Sequence, residues 1–152
     1  MTSRIAYLLA TWFGCGRVPR APGTAGTLAA LPLYWLLREL GDYGVVTGAI
    51  GVTAIGVWAA GRVERNLAAK DPQIVVIDEV AGLLVTLAPN VDGWAAVAVG
   101  VIAFRVLDWW KPWPAALFEA RLPGGWGIVM DDVAAGAWAA LIVVAFGHYF
   151  GC

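Results

Sequence analysis

Six ionisable side chains sit inside, or at the edge of, stretches otherwise apolar enough to cross a bilayer. They are Asp78 and Glu79 in IVVIDEVAGLLVTLA, Arg105 and Asp108 in VAVGVIAFRVLDWW, and Asp131 and Asp132 in GGWGIVMDDVAAGAWAALIVV. Charged groups at membrane depth are unfavourable by kilocalories and persist chiefly where they pair, hold an ion or do chemistry. Five of the six are carboxylates, hard oxygen donors of the kind a divalent cation takes. Magnesium builds its octahedral oxygen shell from one or two carboxylates with water and substrate phosphate. Adjacent helical residues diverge by about 100°, so within the Asp78–Glu79 pair one carboxylate is expected on the ion while the other orients a water or acts as a base. The same ambiguity holds for Asp131 and Asp132. The structural use of the same groups is pairing with Arg105, Lys111 or Arg62 to tie helices together.

Basic residues near the acids point to an anionic substrate. Arg105 and Asp108 are three apart and share a helix face. They form either an intrahelical salt bridge or a working pair in which Asp108 meets metal and the guanidinium forks onto phosphate oxygens. Lys111, in WWKPWP, is a point charge at the interface, and Trp109, Trp110 and Trp113 around it read as an aromatic interfacial anchor. The loop GCGRVPRAPGTAGT at residues 14–27 brings Arg17, Arg20, Thr24 and Thr27 to the start of a helix. Thr24 or Thr27 is expected to cap that helix, and free amides at a helix start make an anion site. The loop lacks the GxxxxGK[ST] order of a nucleotide-binding loop. A second loop, LPGGWG at 122–127, precedes the Asp131–Asp132 pair, and its glycines read as turn formers.

Helices must position these groups. The chain has 152 residues, is 61% hydrophobic and only 14% charged, with mean hydropathy +0.74. Soluble domains run at about 45–50% apolar and about 25% charged, so the composition is that of a membrane protein. Five apolar segments, 25–40, 44–61, 73–89, 94–110 and 132–150, lack strict alternation and are rich in Ala, Leu, Val and Gly. They predict an all-α, compact helical membrane bundle in a single domain, with small residues at the helix contacts. Pro32 predicts a kink or a late helix start in the first segment, which is otherwise re-entrant.

With five crossings and a cytoplasmic N-terminus, Arg4, Arg17, Arg20, Arg62, Arg65, Lys70, Lys111 and Arg121 fall on one side and Arg38 on the other. That is the positive-inside pattern. All three charged clusters then converge at the cytoplasmic end.

A net charge of −1 gives no reason to expect nucleic acid. The two cysteines, Cys15 and Cys152, have no metal or redox spacing, and a structural disulfide is not expected. The N-terminus does not read as a cleaved signal peptide. The one histidine, His148, stands at the far end of the last segment, and no serine follows Ser3. Cys15 lacks a phosphate-cradling Arg six positions on, and no DxDxT occurs, so phosphate chemistry here needs a metal-activated water or an Asp nucleophile. A phosphatidyltransferase would carry DG-x-x-AR, which is absent. A small cation transporter using the same intramembrane carboxylates is the alternative from another class, but it should carry polar groups through the midplane. A purely structural membrane subunit is the third.

The motifs PGT-x-G-[ST], DE-x-x-G, FR-x-x-D-x-x-KP and G-x-x-x-DD-x-x-AG occur in order. They lie in GCGRVPRAPGTAGTLAALP, IVVIDEVAGLLVTL and FRVLDWWKPWPAALFEARLPGGWGIVMDDVAAG, followed by a terminal GHYF. In these stretches, which cover most of residues 14–150, the chain resembles the phosphatidylglycerophosphatase A family of bacterial lipid phosphatases. The resemblance implies an all-α fold and magnesium-dependent hydrolysis of phosphatidylglycerophosphate to phosphatidylglycerol at the cytoplasmic face of the bacterial inner membrane. Thr27 stands where Ser is common, and Ile77 where some members have Trp; neither change removes a ligand. The resemblance carries no role to Glu64 or Asp71, since residues 62–71 match least. On this reading Asp78, Glu79, Asp108, Asp131 and Asp132 form the magnesium and catalytic pool, with Asp78, Asp108 and Asp132 as direct ligands and Glu79 preparing the water. Arg105, Lys111 and Arg17, helped by Thr24, Thr27 and nearby amides, take the phosphate.

Overall fold

A computed structural model describes residues 2–41 and 43–150; Cys152, half of the cysteine pair weighed above, lies outside them. Seven α-helices and one 3-10 turn account for the regular structure among the described residues, and no strand occurs there. The helices are α1 (Thr2–Ala10), α2 (Pro22–Arg38), α3 (Gly44–Leu67), α4 (Ile77–Leu87), α5 (Trp94–Trp110), α6 (Ala115–Arg121) and α7 (Gly125–Phe150), with the 3-10 turn at Cys15–Arg17.

Among the described residues, only α3 and α7, of 24 and 26 residues, are both long and apolar enough to cross a membrane. The third expected segment is much shorter as a helix. Pro72 opens a turn in which the Val75 N–H donates to Pro72 O, and the Val76 N–H then donates to Ala10 O, so α4 begins only at Ile77. Its 11 residues rise about 16 Å, roughly half the hydrocarbon thickness. It lies enclosed instead, with nine of those residues buried. Ile77 and Ala81 pack with Ala10, Ala59, Ala60, Val63 and Val129, whereas Val80, Leu83, Leu84 and Leu87 pack with Val45, Phe104, Ala135 and Ala139. One short helix thus contributes to both core clusters.

Helix α2 starts at Pro22 and runs through Pro32, which removes the late-start expectation. Proline at the first helical position forgoes an amide that has no helical partner there. α1 and α6 were not among the five apolar segments, and α7 begins seven residues earlier than the segment drawn at 132–150. Of the LPGGWG glycines only Gly124 is a turn former, at φ +58°; Gly125 and Gly127 are helical and buried.

At the end away from the charged clusters, Arg38 pairs with Asp92, joining the last turn of α2 to the loop before α5. The outward faces of α2, α3, α5 and α7 expose Leu28, Leu36, Ile50, Ile55, Ile102, Val106, Leu141 and Val144. Contiguous apolar surface of that kind marks a partner or a membrane.

Candidate active site

Helix packing is the first determinant of the site. Where α4 crosses α7, a Cβ on Gly136 would overlap the carbonyl oxygen of Gly82, and a Cβ on Gly82 would lie 2.8 Å from the Asp132 carbonyl oxygen. Two glycines therefore let the backbones touch, and the first turn of α4 comes against the second turn of α7. Asp78 and Glu79 sit at the N-terminal end of α4, where the helix dipole favours negative charge. One carboxylate oxygen each from Asp78, Glu79 and Asp132 lie within 4.8 Å of one another. Asp78 and Asp132 are 7% and 4% exposed. Asp78 Oδ1, Glu79 Oε2 and Asp132 Oδ2 are buried without a hydrogen-bond partner. Buried carboxylates this close repel unless protons or a cation intervene, and hard oxygens in this number suit a divalent ion. The donor set thus fits a metal. Glu79 joins Asp78 in it despite their angular divergence.

The remaining acids are paired. Arg105 NH1 donates to Asp108 Oδ2 at 2.8 Å, so Asp108 stands at the edge of the metal-competent trio with a guanidinium on it. Lys111 Nζ bonds Asp131 Oδ2 at 2.7 Å and Glu119 Oε1 at 3.0 Å, and Asp131 Oδ1 accepts the Asp132 N–H at 3.0 Å. Lys111 ends α5 in a left-handed conformation at φ +48° and ties α5, α6 and α7 together. Burial opposes its charge, but Asp131 and Glu119 prevail and hold its pKa above the usual lysine range. Asp131 and Lys111 are therefore each other's partners at the wall of the cleft.

A cleft of about 460 Å³ opens over these groups, and Asp78, Glu79, Arg105, Asp108, Lys111, Asp131 and Asp132 all line it. The three charged clusters do converge. Ala21 to Thr24 form the opposite wall. Ala21 is the N-cap of α2 and gives no side-chain cap, so the first-turn amides of Gly23 and Thr24 lack helical partners. A Cβ on Gly23 would collide with Glu79 Oε1 and approach Arg105 NH2 and NH1 to 3.2 and 3.3 Å. The helix start, the acid and the guanidinium converge on one point.

Two expected residues lie elsewhere. Arg17 lines a separate groove with Ser3, Arg4, Tyr7 and Phe13, because the 3-10 turn directs it away from the cleft; Arg20, three residues on, lines the cleft instead. Thr27 is fully buried and its hydroxyl donates to Gly23 O at 2.9 Å, one helical turn back, so it neither caps α2 nor meets the cleft. Thr24 does line the cleft. Asp71, to which the resemblance carried no role, and Gln73, which the sequence did not single out, line it too. Partial burial pushes the Asp71 carboxyl up, Lys111 opposes, and Glu119 and Asp108 add to the rise. The available signal was position: residues 71–73 lead directly into the Asp78–Glu79 turn. His148 lies 16 residues beyond Asp132 on α7, about 24 Å along the helix.

A family model described as Phosphatidylglycerophosphatase A matches residues 8–147. Phosphatidylglycerophosphatase A of Escherichia coli strain K12 is 39% identical over 95% of this chain and 84% of its own length. Phosphatidylglycerophosphatase A of Haemophilus influenzae is 32% identical over 94% and 89%. A Bacteroides thetaiotaomicron protein provisionally named phosphatidylinositol-3-phosphatase is 35% identical over 93% and 92%. No solved structure matches the chain.

Proposed function

The chain belongs to the phosphatidylglycerophosphatase A family, and from that premise we propose that it hydrolyses the terminal phosphomonoester of phosphatidylglycerophosphate. The products are phosphatidylglycerol and inorganic phosphate, magnesium is the cofactor, and the chain sits in the bacterial inner membrane with its cleft facing the cytoplasm. The observation that carries this reading is the trio of buried, unpartnered carboxylate oxygens on Asp78, Glu79 and Asp132, opening onto a cleft with Arg105 and a bare helix N-terminus.

Asp78, Glu79 and Asp132 would hold the cation. When bound, magnesium supplies charge for the phosphoryl oxygens and acidifies water. Arg105, its plane fixed by Asp108, offers its fork to the phosphate oxygens. Gly23 and Thr24 present first-turn amides to the same anion. Arg20 at the rim adds steering charge. Glu79 is less enclosed than the two aspartates and lies nearest the Gly23–Arg105 meeting point, which suits it to take the proton of the attacking water. Charge placed in advance where the transition state needs it supplies most of the acceleration. Lys111 and Asp131, bound to each other, keep α5 and α7 in register around the cleft.

A cation-transport reading needs polar groups continuing inward. Beneath the trio the core is Val80, Leu83, Leu84, Phe104, Ala135 and Ala139, which gives it no support.

The test is phosphate release from phosphatidylglycerophosphate by purified protein in detergent, with magnesium or excess EDTA, beside Asp132→Asn. Magnesium-dependent release lost in the variant is expected. No release from folded protein, or preferential release from a phosphoinositide, would sink the proposed substrate.

A further inference from the structure

Beside the cleft, α6, α7 and the segment after α5 form a second, wholly different pocket, an open apolar groove. It measures about 440 Å³, and Pro114, Phe118, Ala134, Ala137, Trp138 and Leu141 are among the residues that line it. It shares no lining residue with the cleft but begins on the same two stretches of chain. Pro114 follows the cleft residue Lys111 by three positions in the turn between α5 and α6, and Ala134 and Trp138 follow the cleft residue Asp131 by three and seven, which puts those two near its face of α7. The indole N–H of Trp138 donates to Trp113 O at 3.0 Å and pins one side. From Asp131 to Leu141 the groove descends about 15 Å along α7, at 1.5 Å per residue. An apolar trough thus starts about one helical turn beyond the charged cleft and runs along α7 away from it.

We propose that this trough holds one acyl chain of the phosphomonoester lipid whose headgroup enters the cleft. The inference rests on the lipid-phosphatase reading and specifies where its substrate lies. A chain gains no transfer free energy on leaving lipid for an apolar groove, so what the trough contributes is alignment: it fixes the glycerol end of the substrate over Arg105 and the carboxylates. A comparable apolar groove between α3 and α7 shares Met130 and Val133 but runs along Val46, Ile50 and Trp126. No residue of the 111–118 segment, on which the chain leaves the cleft, lines it.

Protein in phosphatidylcholine nanodiscs with magnesium is labelled by a phosphonate analogue of phosphatidylglycerophosphate bearing a mid-chain diazirine. Label should fall on Phe118 and on the 134–141 stretch, and excess unlabelled phosphatidylglycerophosphate, but not added phosphatidylcholine, should remove it. Ala137→Phe, at an exposed position outside the cleft, should abolish that label and lower kcat/KM several-fold for long-chain substrate while sparing a short-chain soluble analogue. Label on α3, label competed by any lipid, or an unchanged chain-length preference would overturn the trough assignment. Competed trough labelling without phosphate release would instead sink the hydrolysis reading and leave the trough standing.

Discussion

At the level of single residues, six charged groups divide into a trio left open and pairs that are closed. Asp78, Glu79 and Asp132 retain unpartnered oxygens, whereas Asp108 holds Arg105 and Asp131 holds Lys111. The adjacent Asp131 and Asp132 thereby acquire different work. Asp131→Asn should weaken the tie to Lys111 and lower stability while leaving some turnover, and Asp132→Asn should abolish turnover in a folded protein. Equal loss of activity with equal stability would overturn that division. Arg105→Lys keeps the charge but loses the fork, and is expected to reduce kcat/KM by roughly 100-fold, the scale of losing one preorganised donor. Arg38→Lys, at the opposite end, should stay near wild type. Similar small effects in steady-state assays would remove Arg105 from phosphate binding.

Among the helices, α4 governs the geometry. It is too short to span and is held on all sides, so its first turn cannot drift from α7. The contact depends on two glycines whose backbones meet. Gly136→Ala should push α4 from α7 and destabilise the fold by about 1–3 kcal/mol, the range for overpacking. It should also reduce magnesium affinity, because Asp132 moves with its helix. Thermal unfolding together with magnesium titration checks both; a variant with normal stability and normal affinity would mean that the crossing does not set the site. Gly23→Ala probes the opposite wall. A methyl there meets Glu79 and Arg105, so activity should fall with stability nearly unchanged.

For the molecule as a whole, polarity is arranged along one axis. The acidic cleft lies at one end, the Arg38–Asp92 pair closes the other, and apolar side chains cover the outer faces of the helices between them. Like charges gathered at one end store repulsion that a cation relieves. Magnesium should therefore raise the unfolding temperature, with stabilisation of about 2.7 kcal/mol at 100 times its Kd. Asp132→Asn should be more stable than wild type in EDTA and gain little from magnesium. A wild-type protein indifferent to magnesium in thermal unfolding would argue against a cation on the trio.

Composition and motif spacing were enough for the helical class, the family and the convergence of three charged clusters, because apolar periodicity and residue chemistry are local properties. Arg105 and Asp108 share a face through helical spacing alone. The tertiary structure alone decided which carboxylates remain open, since Lys111 reaches Asp131 across 20 positions and no local pattern announces that partner. It also turned Arg17 and Thr27 away and brought in Arg20, Asp71 and Gln73 through a 3-10 turn and the turn that leads into α4. The apolar length of residues 73–89 suggested a membrane crossing; packing made its helix a buried core element. Hydrophobicity records that a segment avoids water, but whether lipid or protein surrounds it depends on the neighbouring helices.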